Sequence, residues 1–397
     1  MNFREEKGKQ IALTRQIKVI EGGFAVQSQN SKRFYFVDFE KNCTCPDHES
    51  REVKCKHAFA VEYYLQKVTR RGKNIKVERT RLTYPQAWSI YNKSQQEEKS
   101  RFLELLNDLI ETHKETEKRG RGQPKINEHD LLFASALKVY SQFSLRRFMS
   151  DLNEAKEKGY VSVTPCFASV GHFMQKESLY PQLKELIQKS ASVLKNCETK
   201  FSIDSTGFRT KHFSPYCQEK HGETEENKFL KLHAVVGCKT NIITACEVTE
   251  SEGKGTGDCP FLQPLAIQTA NSGFEIKEFS ADMAYSSRDN IGAIAELGGT
   301  AYIPYRSNAT GKPRGKTQLW KKMFHYFQLN QDEFMSHYHA RSNVESTFGA
   351  LKAKFNDCLK SKTLTAQKNE LLLKVLCFNI VQVIHETNEL GIEVTFT

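Results

Sequence analysis

The sequence predicts an α/β protein in which a sheet-forming segment, residues 197–397, follows a helical segment and a small cysteine-bearing amino-terminal domain. Three observations carry this. Short apolar runs cluster between residues 200 and 304 and alternate there with stretches of helical period. Residues 127–196 have helical spacing throughout. The first 70 residues place cysteine and histidine pairs at metal-ligand spacing behind a candidate β-hairpin.

Composition bounds the function. The 397 residues suit two or three domains, and 58 Lys+Arg against 47 Asp+Glu leave a net charge of +11. Such a surplus favours a polyanionic partner, nucleic acid first, although it also suits a merely basic cytosolic protein. Eleven cysteines, an odd number scattered along the chain, predict reduced thiols with some in a metal site. The amino terminus has no apolar h-region, so no signal peptide is expected. The most apolar run, residues 371–384, is interrupted by Lys374, Asn379 and Gln382 and is too short to span a bilayer. It predicts a buried terminal helix in a soluble, intracellular protein without membrane contact.

Residues 1–41 predict a small β-structure, with Phe24 and Val26, then Phe34, Phe36 and Val37, on either side of a polar turn. Cys43-Thr-Cys45 and Cys55-Lys-His57 follow, the second pair opening an apolar helix. Three thiolates and one imidazole can close a tetrahedral zinc shell. Chance clustering of free thiols is the bland alternative, and His48, in mid-loop, is the lesser substitute ligand. A C-x-C hairpin followed by a C-x-H helix start resembles the SWIM zinc finger. The resemblance covers residues 1–70 and implies one structural Zn²⁺ on Cys43, Cys45, Cys55 and His57.

Residues 71–126 read as linker and helix. The basic run 66–81 either tracks a phosphate backbone or is a solvated connection. Phe102, Leu103, Leu105, Leu106, Leu109 and Ile110 mark a helix. Arg119-Gly-Arg-Gly-Gln-Pro-Lys125 distantly resembles a minor-groove AT-hook, but Gly122 and Gln123 break that core and a linker is expected. Residues 127–196 predict four helices, whose Lys138, Arg146, Arg147 and Lys156 supply basic faces.

From Lys200 the pattern changes. Phe201-Ser-Ile-Asp204 alternates, so Asp204 leaves the strand opposite Phe201 and Ile203. Two strands, 229–238 and 242–249, flank the turn Lys239-Thr-Asn241. The glycine-rich loop 251–260 matches neither a P-loop nor a dinucleotide fingerprint and reads as flexible. A helix over 261–269, a strand ending at Asp282, a helix to Leu297 and a strand over 300–304 complete the order. That order suits an RNase H-like sheet. The basic loop 305–318 is either a DNA-facing flap or a surface loop before an apolar helix.

Asn330 and Glu333 predict a cap for a single helix running through Tyr338, Arg341, Glu345 and Lys352, with Val344, Phe348, Leu351 and Phe355 on its apolar side. An ordinary solvated face is the default for such a polar line. Glu345 gains meaning beside Asp204 and Asp282, because three carboxylates suit two Mg²⁺ or Mn²⁺ ions about 4 Å apart.

Tyr338-x2-Arg341-x3-Glu345-x6-Lys352, with Asp204 in Phe-Ser-Ile-Asp-Ser-Thr and Asp282 in Ser-Ala-Asp-Met-Ala-Tyr, resembles the DDE transposases of the IS4 superfamily. The resemblance runs from residue 126 to the carboxyl end. It implies an RNase H-like catalytic domain over 197–397, with the helices of 127–196 as a DNA-binding domain before it. It also implies two Mg²⁺ (or Mn²⁺) ions on Asp204, Asp282 and Glu345, cleavage at the terminal inverted repeats of an insertion sequence, and 3′-hydroxyl strand transfer into target DNA. Tyr338, Arg341 and Lys352 are the implied DNA-binding residues, and a homodimer in the DNA complex, cytoplasmic and DNA-associated in a prokaryote, is the implied setting. The interval between Asp282 and Glu345 is too short for the β-rich insertion that some relatives carry. The excision route, hairpin or not, is therefore left open. A non-catalytic DNA-binding derivative and a structure-specific nuclease are the alternatives.

Overall fold

The computed structural model describes residues 3–14, 16–20, 22–29, 33–51, 53–67, 69–71, 74–76, 88–113, 126–210, 229–250, 257–306, 308–312 and 318–396. The AT-hook-like stretch 119–125, most of the glycine-rich loop, and parts of the basic run 66–81 and of the loop 305–318 lie outside them. The chain forms two units, Met1–Gln86 and Ala87–Thr397.

The first unit opens with a helix, α1 (Phe3–Thr14), where a purely β-structure was expected. Its sequence hides it, because Ile11 is its one fully buried apolar side chain among the described residues and the polar residues show no periodic stripe. It packs against α3 (Lys56–Lys67) through a close approach at Gly8, where a Cβ would stand 2.5 Å from the Cβ of Phe59. Between them β1 (Ile17–Ile20), β2 (Gly23–Gln27) and β3 (Phe34–Asp38) form an antiparallel sheet, and α2 (Pro46–Arg51) fills the loop between the two ligand pairs. Within the basic run, β4 (Thr69–Arg71) and β5 (Asn74–Lys76) pair antiparallel.

The second unit begins with the helices α4 (Trp88–Glu111), α5 (Glu128–Ser141), α6 (Met149–Glu157), α7 (Phe167–Phe173) and α8 (Leu179–Ser192). Asn127 caps α5 by accepting from the His129 amide, as a short polar side chain at a helix start does. The sheet comprises β6 (Lys200–Arg209), β7 (Phe229–Gly237), β8 (Ile243–Glu250), β9 (Glu278–Ala281) and β10 (Thr300–Tyr302) in the order β10-β9-β6-β7-β8. β6, β7 and β8 are an antiparallel meander, whereas β9 joins β6 in parallel and β10 joins β9 in parallel. Parallel neighbours need crossovers. These are supplied by α9 (Leu262–Asn271), between β8 and β9, and α10 (Arg288–Glu296), between β9 and β10. The turn after β7 is fixed by buried Glu198, whose carboxylate accepts from the amides of Lys239 (2.7 Å) and Thr240 (3.0 Å).

Four helices follow: α11 (Leu319–Leu329), α12 (Gln331–Tyr338), α13 (Ser342–Phe355) and α14 (Leu364–Leu390). The apolar run 371–384 is buried within α14, as its composition predicts. α14 packs on α4, α5 and α8 and also on β8, so the helical segment and the sheet share one core. Buried Asn379 clamps it to the sheet by accepting from Ile243 N (3.0 Å) and donating to Ile243 O (2.8 Å). Among the described residues, no helix is long and apolar enough to cross a membrane.

Candidate functional site

β6 and β9 bring two acids together by register. The last paired residues of these parallel strands are Ile203 and Ala281, so Asp204 and Asp282 occupy the next position on each. Asp204 Oδ1 accepts from the Ser205 amide at 2.8 Å, and Asp282 Oδ1 accepts from the Met283 amide at 2.6 Å. The second bond caps a 3₁₀ turn, Met283–Tyr285. Glu345 lies in the first turn of α13, whose Val344, Phe348, Leu351 and Phe355 are all buried. α13 packs on β6 and β7.

Arg341 links the helix to the strand. Its Nη2 lies 2.6 Å from Asp204 Oδ2 and its Nη1 2.8 Å from Glu345 Oε1. Its Nε is buried and, among the described residues, has no hydrogen-bond partner. The one helix expected here is broken: α12 ends at Tyr338, His339–Arg341 form a 3₁₀ turn, and α13 starts at Ser342. Sheet hydroxyls explain the break. Ser202 Oγ donates to Ala340 O and Ser280 Oγ donates to His337 O, each at 3.4 Å, so side chains insert where the helical ladder would continue. The expected cap differs as well. Asn330 makes no side-chain bond to the helix backbone and instead donates to Glu333 Oε2 at 3.3 Å.

The electrostatics follow from crowding. Burial pushes the Asp204 carboxyl above its ordinary value, and the charge of Asp282 adds to this, while the Ser205 amide and Arg341 pull it back. Burial also raises the Tyr338 phenol. Burial works against the charge of Arg341, but Asp204, Tyr338 and Glu345 raise its pKa. Two of the three acids, Asp204 and Glu345, thus share one cation, and carboxylate oxygens suit hard divalent ions, but the three carboxylates do not themselves gather as closely as a metal shell requires. Lys352 is not drawn into this cluster. It is half-buried with its ammonium 5.3 Å from the centre of the Phe208 ring, and burial lowers its pKa.

Sequence reasoning missed two neighbours. Tyr285 is buried, its phenol pushed up by burial and then by the charges of Asp258, Asp204 and Asp282. An aromatic residue one short turn after a strand-end acid was the available signal. Asp258 pairs with Lys231 at 2.6 Å and lies 3.4 Å from His233, whose pKa burial lowers to about 4. The glycines of the loop before it drew attention away from that carboxylate.

In the first unit, Cys43, Cys45, Cys55 and His57 are all buried, and their donor atoms lie within 4.8 Å of one another. His57 turns Nδ1 toward the sulfurs of Cys43 (3.9 Å) and Cys55 (4.0 Å), while Tyr35 lies against its ring. The Cys55 thiol is pulled down to about 3 by hydrogen bonding from Cys43, whose own thiol is pushed up. A buried Cys₃His set of this size fits Zn²⁺. His48 is turned away, its Nδ1 2.8 Å from Val53 O. Among the described residues, no other group of three or more Cys, His, Asp or Glu donors gathers closely enough for a metal ion.

Residues 195–380 match the family model of the transposase DDE domain, and residues 26–66 match that of the SWIM zinc finger. The chain carries a transposase DDE domain and an amino-terminal SWIM zinc finger. The transposase match spans all five strands of the sheet and holds Asp204, Asp282 and Glu345. No curated protein matches the chain. Among solved structures it is similar to a piggyBac transposase synaptic complex with hairpin DNA, at 12% identity and a TM-score of 0.37, over 75% of this chain and 74% of that one. A similarity that low does not decide a fold.

Proposed function

We propose that this transposase mobilises a prokaryotic insertion sequence of the IS4 superfamily, binding the element's terminal inverted repeats and joining them to target DNA. The observation that carries the reading is the Arg341 guanidinium spanning Asp204 and Glu345 beside Asp282, inside the matched DDE segment. The strand order, an antiparallel meander with two parallel strands beside β6, supports an RNase H-like catalytic domain over 197–397.

Asp204, Asp282 and Glu345 are the proposed ligands of two Mg²⁺ or Mn²⁺ ions. Such ions supply activation of the nucleophile and stabilisation of the leaving 3′-oxygen. Hydrolysis joins a water oxygen to the end phosphorus and releases a 3′-hydroxyl, which then attacks a target phosphodiester and displaces another 3′-oxygen. Arg341, placed where it reaches both the strand and the helix carboxylates, neutralises phosphate charge as DNA enters, and its fork suits two phosphate oxygens. Tyr338 stacks or donates beside it, and Lys352 contacts the backbone farther along β6. The helices of 127–196 serve as a DNA-binding domain. Cys43, Cys45, Cys55 and His57 hold one structural Zn²⁺, making the finger an accessory DNA-binding module. Two ends must be brought together, so a homodimer forms on DNA.

The test is incubation of the full chain with labelled inverted-repeat ends and Mg²⁺. End-specific nicks and joined products are expected from wild type and not from Glu345→Gln or Asp204→Asn. Equal products from wild type and Glu345→Gln, or no end-specific cleavage by wild type, overturns the reading.

A further inference from the structure

A cavity of about 370 Å³ lies in the second unit, away from the acidic triad, where the loop after α5 meets the start of α14. Lys138, Phe143, Ser144, Lys360, Ser361 and Lys362 contribute to its wall. Lys138 is only 6% exposed, yet lines the opening, and among the described residues its ammonium has no hydrogen-bond partner. A buried lysine that satisfies none of its donors within the protein is unusual and implies an acceptor from outside.

The acid nearest to hand does not fill this role. Burial lowers the pKa of Lys138; Glu370 lies close enough to oppose this, but it forms no ion pair with Lys138 among the described residues. Its carboxylate already accepts from the amides of Lys360 (2.9 Å) and Ser361 (2.7 Å) and faces Lys374 at 4.0 Å. Lys138, Lys360 and Lys362 therefore leave the cavity cationic. The N-terminus of α14, a helix of 27 residues capped by Thr363, opens on the same space and adds the positive end of its dipole. The walls are tied together, since Gln142 donates to Lys354 O and Lys360 donates to Gln142 O. At the rim Phe143 is 48% exposed, and on α7 Phe167 carries Arg146 at 4.8 Å from its ring centre.

We propose that this cavity is a phosphate-ester site distinct from the acidic triad, and that a backbone phosphate of bound DNA occupies it. The choice of DNA as source rests on the transposase reading; the phosphate chemistry does not. The volume exceeds one phosphate and leaves room for its sugar against Phe143. The site couples the helical segment, through Lys138, to the segment that follows the Glu345 helix, through Lys360 and Lys362. DNA held there fixes both against the same strand.

The test uses the full chain without divalent metal, so failure of strand cleavage leaves it readable. Binding of a labelled duplex is measured against salt for wild type, Lys138→Gln and Lys362→Gln, with pyrophosphate binding followed by calorimetry. Each substitution is expected to weaken duplex binding about three- to tenfold and to lower the salt slope by about one. Loss of pyrophosphate binding in the variants with unchanged duplex binding keeps the phosphate site but overturns DNA as its occupant in favour of a free phosphate compound. Lys362 is exposed, so its variant keeps the wild-type melting temperature and remains decisive if Lys138→Gln unfolds. Unchanged duplex and pyrophosphate binding in a folded Lys362→Gln overturns the proposal.

Discussion

Arg341 Nη2 lies 2.6 Å from Asp204 Oδ2, although the two residues come from a 3₁₀ turn and a strand far apart in the chain. The same guanidinium holds Glu345 at 2.8 Å. One cation therefore sits between two of the three proposed metal ligands, which makes it both their neutraliser and their competitor.

Arg341→Gln separates these roles. Removing the competing charge should tighten Mn²⁺ binding several-fold, measured by electron paramagnetic resonance. Removing a phosphate-binding fork should slow end cleavage by about 100-fold or more. Weaker Mn²⁺ binding in the variant would contradict the competitor role.

Leu351 is fully buried under α13 and helps dock the helix that carries Glu345. Leu351→Ala should cost about 2–5 kcal/mol in urea unfolding of the second unit, from lost burial and the cavity left behind. A cost below about 1 kcal/mol would mean that α13 is not held by its apolar side.

The zinc proposal predicts about one equivalent of Zn²⁺ per full chain by elemental analysis, lost in Cys55→Ser and in His57→Asn. Chelation should melt the first unit while the second keeps its own transition. A chain with no bound metal and an unchanged first transition would contradict the assignment.

Gly8 sets how closely α1 approaches α3. The Cβ of Gly8→Ala would meet Phe59 Cβ at 2.5 Å and Lys56 O at 2.9 Å. The first unit should lose about 1–3 kcal/mol, read as a lowered first thermal transition. An unchanged transition would mean that the two helices can slide apart freely.

Glu386, near the end of α14, has its carboxyl raised to about 7 by burial, and further by Glu389 and Glu198. The folded chain then binds a proton that the unfolded chain releases near its ordinary value of 4.5. This contribution is fully present below that value and is lost as pH rises through about 7. Glu386→Gln should therefore gain about 1–2 kcal/mol relative to wild type between pH 5 and 8, after allowance for solvent screening. Parallel pH profiles of the melting temperature would contradict this.

Much of the sheet was readable in advance because its strands carry apolar alternation and short turns. The meander, the two strands after it and the helices between them stand close to their expected places. α1 was not readable, because its burial comes from one isoleucine and a glycine contact with a helix that lies later in the chain. The break at His339–Arg341 was hidden for a similar reason. Its cause, Ser202 and Ser280 donating into the helix backbone, lies on two strands distant in sequence. The interval pattern of Tyr338, Arg341, Glu345 and Lys352 was legible, yet it could not tell that Arg341 pairs with Asp204 while Lys352 rests over Phe208.

The residue types at each centre are set locally: three thiols and an imidazole in one unit, and three acids among cations in the other. Spacing and periodicity are local properties, and they suffice to place a ligand pair at a helix start or an acid at a strand end. Which charges meet was decided only by the tertiary structure. Strand register set Asp204 beside Asp282, the 3₁₀ turn and α13 after it brought Arg341 and Glu345 to the sheet, and α14 joined the helical segment to it around Lys138 and Glu370. Charge pairing depends on distances between distant segments, and those exist only once the core has packed.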